Sequence, residues 1–284
     1  AMQYVDIQRK QFERLGISGD WDKPYLTLDK QYEAGILRAL SQLVEKNYVY
    51  KGVKPVNWCM HCETALAEAE VEYEDHESVA IFVEFPIIFD GPFSSKESLA
   101  VVNEIKKYTP DANMLIWTTT PWTLMANVAV ALSPVLSYTL VEIERNGRKK
   151  YLIMAEALME NVMKKAGDTA FRVSASFKGK DLCGMRCHHP FLSRDSKIVN
   201  ADFVSNEEGA GCVHIAPGHG EEDFKVGIEY QLPVIMPVDT KGAFDRTCGE
   251  FFGLTVTAEG NAKVVEKLQE MGRLFFTEKY AHSY

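Results

Sequence analysis

From Val79 to Ala216 the chain is written as short β-prone runs broken by turn residues, without the regular strand–helix alternation of a doubly wound sheet. The runs predict strands over 79–85, 114–120, 128–132, 138–143, 151–154 and 213–216. Helical stretches are expected between them at 95–107, 155–165, 221–230 and 258–271, with Gly272 as the stop of the last. This pattern predicts a β-rich α+β fold with a β-barrel-like core and peripheral helices. Upstream, residues 3–15 read as a helix. Asp29 reads as the N-cap of a second, whose Ile36, Leu37, Leu40, Leu43 and Val44 form a stripe in need of a partner surface. The expected organisation is a helical flank over 1–47, a connecting β-ribbon over 48–78, the β-rich domain over 79–277 and a return strand over 278–284.

Within that domain the run Leu115-Ile116-Trp117-Thr118-Thr119-Thr120-Pro121-Trp122-Thr123 stands out. Its β-formers predict a strand, and Pro121, with no N–H to give a ladder, ends it. Hydroxyls gathered at a strand end can orient a water or the polar edge of a ligand. The plainer reading is a buried strand carrying Thr in place of Val.

A second polar motif follows about a hundred residues later, Gly209-Ala210-Gly211-Cys212-Val213-His214-Ile215-Ala216-Pro217-Gly218-His219-Gly220-Glu221-Glu222-Asp223. It reads as a turn, a short strand, a glycine-rich loop and a helix start. The helix dipole alone favours acidic residues there. The functional reading turns His214 and Asp223 into one cavity, where an ionised Asp223 holds a substrate ammonium. His214, His219, Glu222 and Asp223 are also metal-competent types, although their spacing matches no helical His pattern. Cys59 and Cys62 have zinc-knuckle spacing but make only half of a four-ligand site. Completion by Cys183 and Cys187 is arithmetically open.

Composition narrows the classes. The chain has 284 residues, 46% hydrophobic and 25% charged, an ordinary globular balance. Its net charge of −9 offers no global attraction to a polyanion. Nucleic acid would have to be met with help from a partner domain or by local patches such as Lys106-Lys107, Arg148-Lys149-Lys150 and Lys164-Lys165, which read first as solvated faces. The apolar stretch from Val128 to Leu140 is too short and too interrupted to span a membrane. No charged-then-apolar leader is evident. With six cysteines, the reading is a reducing, cytoplasmic protein without a disulfide framework. Ala1-Met2 resembles an expression scar and carries no weight in the fold argument.

The Thr-Thr-Thr-Pro-Trp-Thr run with Asn127, and Val213-His214-Ile215-Ala216-Pro217-Gly218-His219-Gly220 leading to Asp223, resemble the editing domain of bacterial-type isoleucyl-tRNA synthetases. The valyl and leucyl relatives typically carry Thr-Thr-Arg-Pro and Pro-Ala-His-Asp instead. Gly19-Asp20-Trp21, Pro24-Tyr25, Lys54-Pro55-Val56, Trp58-Cys59 and Ala65 to Tyr73 resemble the same family, so the likeness covers nearly the whole chain. The His-Ile-Gly-His and Lys-Met-Ser-Lys-Ser signatures that handle ATP in this class are missing. The resemblance is thus to the large connective insertion of such an enzyme, the CP1 domain, with helices from the parent catalytic domain ahead of it.

The resemblance implies hydrolysis of the ester in valyl-tRNA(Ile), with valyl-adenylate left open as a second substrate, and no aminoacylation by this piece. The implied catalytic residues are Thr118, Thr119, Thr120, Asn127, His214 and Asp223. Trp117, Ala216, Pro217, Gly218 and His219 are the implied pocket residues. Asp223 would anchor the α-ammonium, the threonines would orient ester and water, Asn127 would steady the strand turn or the adenosine end, and His214 would form part of the sieve. No cofactor is expected for editing. Zinc at Cys59 and Cys62, and ATP with magnesium, belong to the full-length parent. The expected partners are the tRNA(Ile) acceptor end and the rest of the parent chain, with no membrane and a monomeric state. Rival readings are a metal-dependent hydrolase and a non-catalytic tRNA-end binding module. Two positions depart from the family pattern. Met125 replaces a usual proline, with a looser turn before Asn127 expected; Ile215 replaces a usual threonine, removing a hydroxyl near the pocket.

Overall fold

The structure, a computed structural model, describes residues 1–93 and 95–283. It divides into two compact units, Ala1–Val53 and Lys54–Tyr284. Tyr284, the end of the expected return strand, lies outside the described residues.

The first unit holds α1 (Met2–Arg14) and α2 (Lys30–Glu45). The Asp29 side chain accepts from the Gln31 N–H, the N-cap that its position predicts. Neither helix buries a residue. The unit is held by aromatic contacts in its connector, where Phe12 stacks on Trp21 and Tyr25 meets Tyr32 edge-on. The stripe Ile36, Leu37, Leu40, Leu43 and Val44 is amphipathic in pattern and exposed in fact.

The second unit opens with a two-stranded ribbon, β1 (Trp58–Cys59) and β2 (Thr64–Ala65). The elements that follow are β3 (Asp75–Pro86), α3 (Lys96–Lys106), β4 (Asn113–Thr118), β5 (Ala129–Leu132), β6 (Ser137–Arg145) and β7 (Arg148–Ala155). Then come α4 (Glu156–Ala166), β8 (Phe171–Lys178), α5 (Gly179–Leu182), β9 (Arg186–His188), β10 (Asp195–Asn200) and β11 (Cys212–Ile215). The unit closes with α6 (Glu221–Glu229), α7 (Asn261–Glu270) and β12 (Leu274–Ser283). The latter runs through position 277 without a break and pairs antiparallel with β3. Strands β3 to β12 join one mixed sheet in the order β8-β6-β7-β4-β11-β5-β10-β9, with β3 pairing β4 and β12. With its helices this is a β-rich α+β fold.

The decisive feature of the sheet is a fork on β4. Asn113 and Met114 pair in parallel with Leu152 and Ile153 of β7, whereas Trp117 pairs in parallel with Val213 of β11. Gly211 permits the close approach at the fork: at φ +68°, a Cβ there would stand 2.3 Å from that of Ala155. Beyond the fork the sheet is buried on both faces. Along β5, Val130 and Leu132 enter the main core, while Ala129 and Ala131 enter a second cluster with Val199, Ile215, Val226 and Leu232. That double burial explains why β5 reads as a continuous apolar run. Strands β8, β10 and β9, which periodicity does not announce, exist because β6 offers a ladder edge to β8, β5 offers one to β10, and β10 in turn offers one to β9. Among the described residues no helix is long and apolar enough to cross a membrane.

Candidate functional site

The threonine run leaves the ladder two residues earlier than the β-propensity predicts. Strand β4 ends at Thr118, whose Oγ1 accepts from the Thr120 N–H at 3.1 Å, a local bond that competes with the sheet. Pro121 then starts a 3₁₀ turn over Pro121–Ala126. Its first turn is tied by Thr123, whose N–H and hydroxyl both donate to the Thr120 carbonyl, the hydroxyl at 2.7 Å.

Opposite stands β11. Being parallel to β4 at Trp117, it delivers His214 to the same end of the sheet. The chain then turns at Pro217-Gly218, packed so closely that a Cβ on Gly218 would lie 2.7 Å from the Ile235 carbonyl oxygen. Helix α6 begins at Glu221, and the Asp223 carboxylate reaches back to accept from the Ala216 N–H at 2.7 Å.

These segments enclose a cavity of about 260 Å³ lined by Trp117, Thr118, Thr119, Thr120, Thr123, Val213, His214, Ala216, His219, Gly220 and Asp223. Both motifs therefore meet in one pocket. Its polar groups are under strain of a useful kind. Burial raises the Asp223 carboxyl to about 6, against the opposing pull of the Ala216 N–H, with neighbouring Glu222 adding to the rise. His214 is held near 4, by burial and by the charge of His219; burial alone brings His219 to about 4. Both imidazoles are thus neutral at pH 7. His214 Nε2 lies 3.0 Å from Thr123 Oγ1. His214 Nδ1, His219 Nε2 and Trp117 Nε1 are buried without a partner among the described residues. Buried polar atoms are normally satisfied, so such atoms clustered at one cavity mark where a ligand or water belongs.

Three expected site residues do not line the cavity. Asn127 is fully buried, its Nδ2 donating to the Ala129 carbonyl at 2.7 Å and its Oδ1 accepting from Ser196 Oγ at 2.5 Å. Its amide fits the strand-steadying half of the expectation, not contact with an adenosine. Pro217 packs on the Gly227 position of α6, and Gly218 shapes the turn. Thr123, Val213 and Gly220 join the lining without having been singled out. The signal available for Thr123 was its spacing: a threonine three residues after the strand-ending Thr120 is placed to bond back to that carbonyl.

The departures at Met125 and Ile215 do not act as expected. The turn before Asn127 is intact, because the Met125 carbonyl accepts from the Arg194 guanidinium and its side chain is buried in the main core. Ile215 is buried in the second cluster and stands outside the lining. Among the described residues no three His, Cys, Asp or Glu side chains gather as a metal site. His214, His219, Glu222 and Asp223 are accordingly not arranged as a catalytic metal centre, and Cys183 and Cys187 do not complete the cysteine pair. Cys59 and Cys62 remain adjacent, the Cys62 N–H donating to Cys59 Sγ at 3.4 Å. Backbone N–H groups of Cys62 and His61 favour the Cys59 thiolate. The ribbon that carries them rests on the loop at 239–242, with Trp58 Nε1 donating to the Thr240 carbonyl at 2.8 Å.

Comparison with known proteins agrees with this architecture. The family described as tRNA synthetases class I (I, L, M and V) matches residues 1–226. The isoleucine--tRNA ligases of Petrotoga mobilis and Kosmotoga olearia are each 46% identical to the chain over 284 residues, all of it and 28% of their own length. That of Caldicellulosiruptor bescii is 44% identical over 285 aligned positions, covering 30% of its length. The chain therefore spans less than a third of the curated relatives it matches. Among solved structures, the crystal structure described as GlLeuRS-CP1 superposes with a TM-score of 0.55 at 14% identity, covering 69% of this chain and 98% of that one. That likeness concerns the fold.

Proposed function

The chain belongs to the class I tRNA synthetases (I, L, M and V), and from that premise we propose that its pocket hydrolyses the ester of valine misattached to tRNA(Ile). The observation that carries the reading is the cavity itself. It joins a half-buried carboxylate, a row of threonine hydroxyls and unmet imidazole nitrogens in about 260 Å³. That is just below the roughly 300–1,000 Å³ of drug-sized sites and suits a small aliphatic aminoacyl group.

The chemical need is one of binding. One methylene is worth only about 1–3 kcal/mol in a hydrophobic pocket, a range for which isoleucyl-tRNA synthetase is itself a reference case. A synthetic site cannot reject valine on that margin, and a second pocket admitting only the smaller residue makes up the difference. An aminoacyl ester is already reactive, so positioning it beside a water supplies much of the rate, an effect worth about 7–11 kcal/mol in well-oriented systems.

Asp223 anchors the α-ammonium: its other carboxylate oxygen has no hydrogen-bond partner among the described residues, and a cation alongside favours the ionised form that burial disfavours. Thr118, Thr119 and Thr120 orient the ester and the water. His214, with Val213 and Trp117, bounds the space for the side chain, and His219 and Ala216 close the floor. The Thr123 hydroxyl directs its hydrogen to the Thr120 carbonyl and not to His214, so His214 does not activate it as a nucleophile, and direct attack by water follows. The terminal adenosine of tRNA(Ile) is the partner at the mouth. The remainder of a parent synthetase covers the apolar stripe of α2 and supplies ATP and magnesium chemistry.

The test is deacylation of valyl-tRNA(Ile) by this chain, with titration of a non-hydrolysable valyl-adenosine analogue that bypasses tRNA anchoring. Binding of the valyl analogue and not of its isoleucyl counterpart, with release of valine, is expected. Equal binding of both, or none of either, would overturn the reading.

A further inference from the structure

The hydrogen bonds around Thr123 fix more than a turn. A threonine hydroxyl has one proton. Here the Thr120 carbonyl, which can only accept, takes it at 2.7 Å. The contact of 3.0 Å between Thr123 Oγ1 and His214 Nε2 then has one possible direction: Nε2 carries the hydrogen and donates. A neutral imidazole has one N–H, so Nδ1 is left as a bare lone pair. It is the nitrogen that is buried without a partner, in a residue that lines the pocket.

We infer that Thr123 is a positioning residue that locks His214 in its Nε2–H tautomer, so that the imidazole offers Nδ1 to the pocket as an acceptor for an O–H donor. Taken with the hydrolytic reading, on which this second half rests, the donor is the attacking water or the free ribose hydroxyl beside the ester. The lock is built from within one turn of backbone. Thr120 is the N-cap of the 3₁₀ segment that holds Pro121 and Thr123, and Thr123 and His214 are each buried at 7% exposure, so solvent competes little for either bond. The division of labour is then defined. Asp223 receives the N–H donors of the ammonium, His214 receives an O–H donor, and the hydroxyls of the threonine run remain as donors.

Imidazole ¹⁵N shifts of His214 in this chain, free of substrate, read the tautomer directly. The expected result is a protonated Nε2 and a bare Nδ1 in the wild type and in Thr123→Ser, which keeps the hydroxyl. Thr123→Val, similar in shape but without it, is expected to show an averaged or inverted tautomer. Deacylation of valyl-tRNA should fall about tenfold in kcat for Thr123→Val, the scale of one hydrogen bond, with KM little changed and with recovery to about twofold of wild type in Thr123→Ser. On tRNA whose terminal ribose lacks the free hydroxyl, disappearance of the Thr123→Val penalty assigns the donor to ribose, and its persistence assigns it to water. A wild-type Nδ1–H, or the same fixed Nε2–H in Thr123→Val, would overturn the lock. Because the spectrum needs no substrate, a wild type that deacylates nothing would sink the hydrolytic reading and leave the tautomer result standing.

Discussion

Polar groups packed in the core and polar groups lining the pocket are differently served: the first are fully buried, the second are half-buried apart from His214. In the core, Asn127 bonds Ala129 and Ser196, His189 accepts from the Phe191 and Leu192 N–H groups while its Nε2 meets the Leu124 carbonyl, and Tyr138 joins Ser133 to Gly211. In the lining, His214 Nδ1, His219 Nε2 and Trp117 Nε1 meet nothing among the described residues, and Asp223 holds its proton to about pH 6. A satisfied buried polar group fixes a unique arrangement. One left unmet costs stability and is tolerated where a ligand completes it. The first set should govern stability, and the second should govern binding.

Asp223→Asn breaks the comparison most sharply if it is wrong. The amide oxygen can still accept from the Ala216 N–H, but the charge is gone. Analogue binding should weaken by about 2–5 kcal/mol, thirtyfold or more, with the urea midpoint unchanged or higher. A lower midpoint with binding intact would place Asp223 in the structural set. Asn127→Ala is the mirror experiment: it strands the Ser196 hydroxyl and the Ala129 carbonyl, so chemical denaturation should show a loss of about 2–4 kcal/mol. Analogue affinity in the folded fraction should hold.

The pH profile of analogue binding sharpens the same contrast. With the free-state carboxyl raised to about 6, binding should fall by roughly tenfold per unit as pH drops below that value. The stability sign is opposite. A raised carboxyl favours the fold when protonated, and that contribution is lost as pH rises from about 3.8 through about 6. A flat binding curve from pH 5 to 7 in calorimetry would remove Asp223 from the ammonium. The smallest effect belongs to Thr119→Val. Thr119 makes no side-chain hydrogen bond to another described residue, so the midpoint should stay put while deacylation drops by about 0.5–1.5 kcal/mol of activation, up to about tenfold.

Local chemistry made part of this legible. Pro121 had to stand outside the ladder, although the strand stops earlier, at Thr118; Asp29 had to cap a helix, and the run from Gly209 to Asp223 had to be turn, strand, loop and helix start. Residues of the threonine run and of the histidine motif meet because β4 and β11 lie parallel, a relation that no local signal reports. Thr123 passed unnoticed because its role depends on His214, ninety-one positions away. The resemblance puts Asn127 among the site residues, and its partners on β5 and β10 give its amide the strand-steadying role that the resemblance also allows. Strands β8, β9 and β10 escape local reading for a related reason: their pairing edges are made by other strands.

The sequence by itself determined the β-rich class and the element boundaries set by glycine and caps, because each follows from the conformational limits of a few adjacent residues. Only the tertiary structure decided which polar side chain is satisfied and which is left open. A hydrogen bond in a buried site is settled by what the rest of the chain brings within about 3 Å of it, and that is a property of the packed sheet.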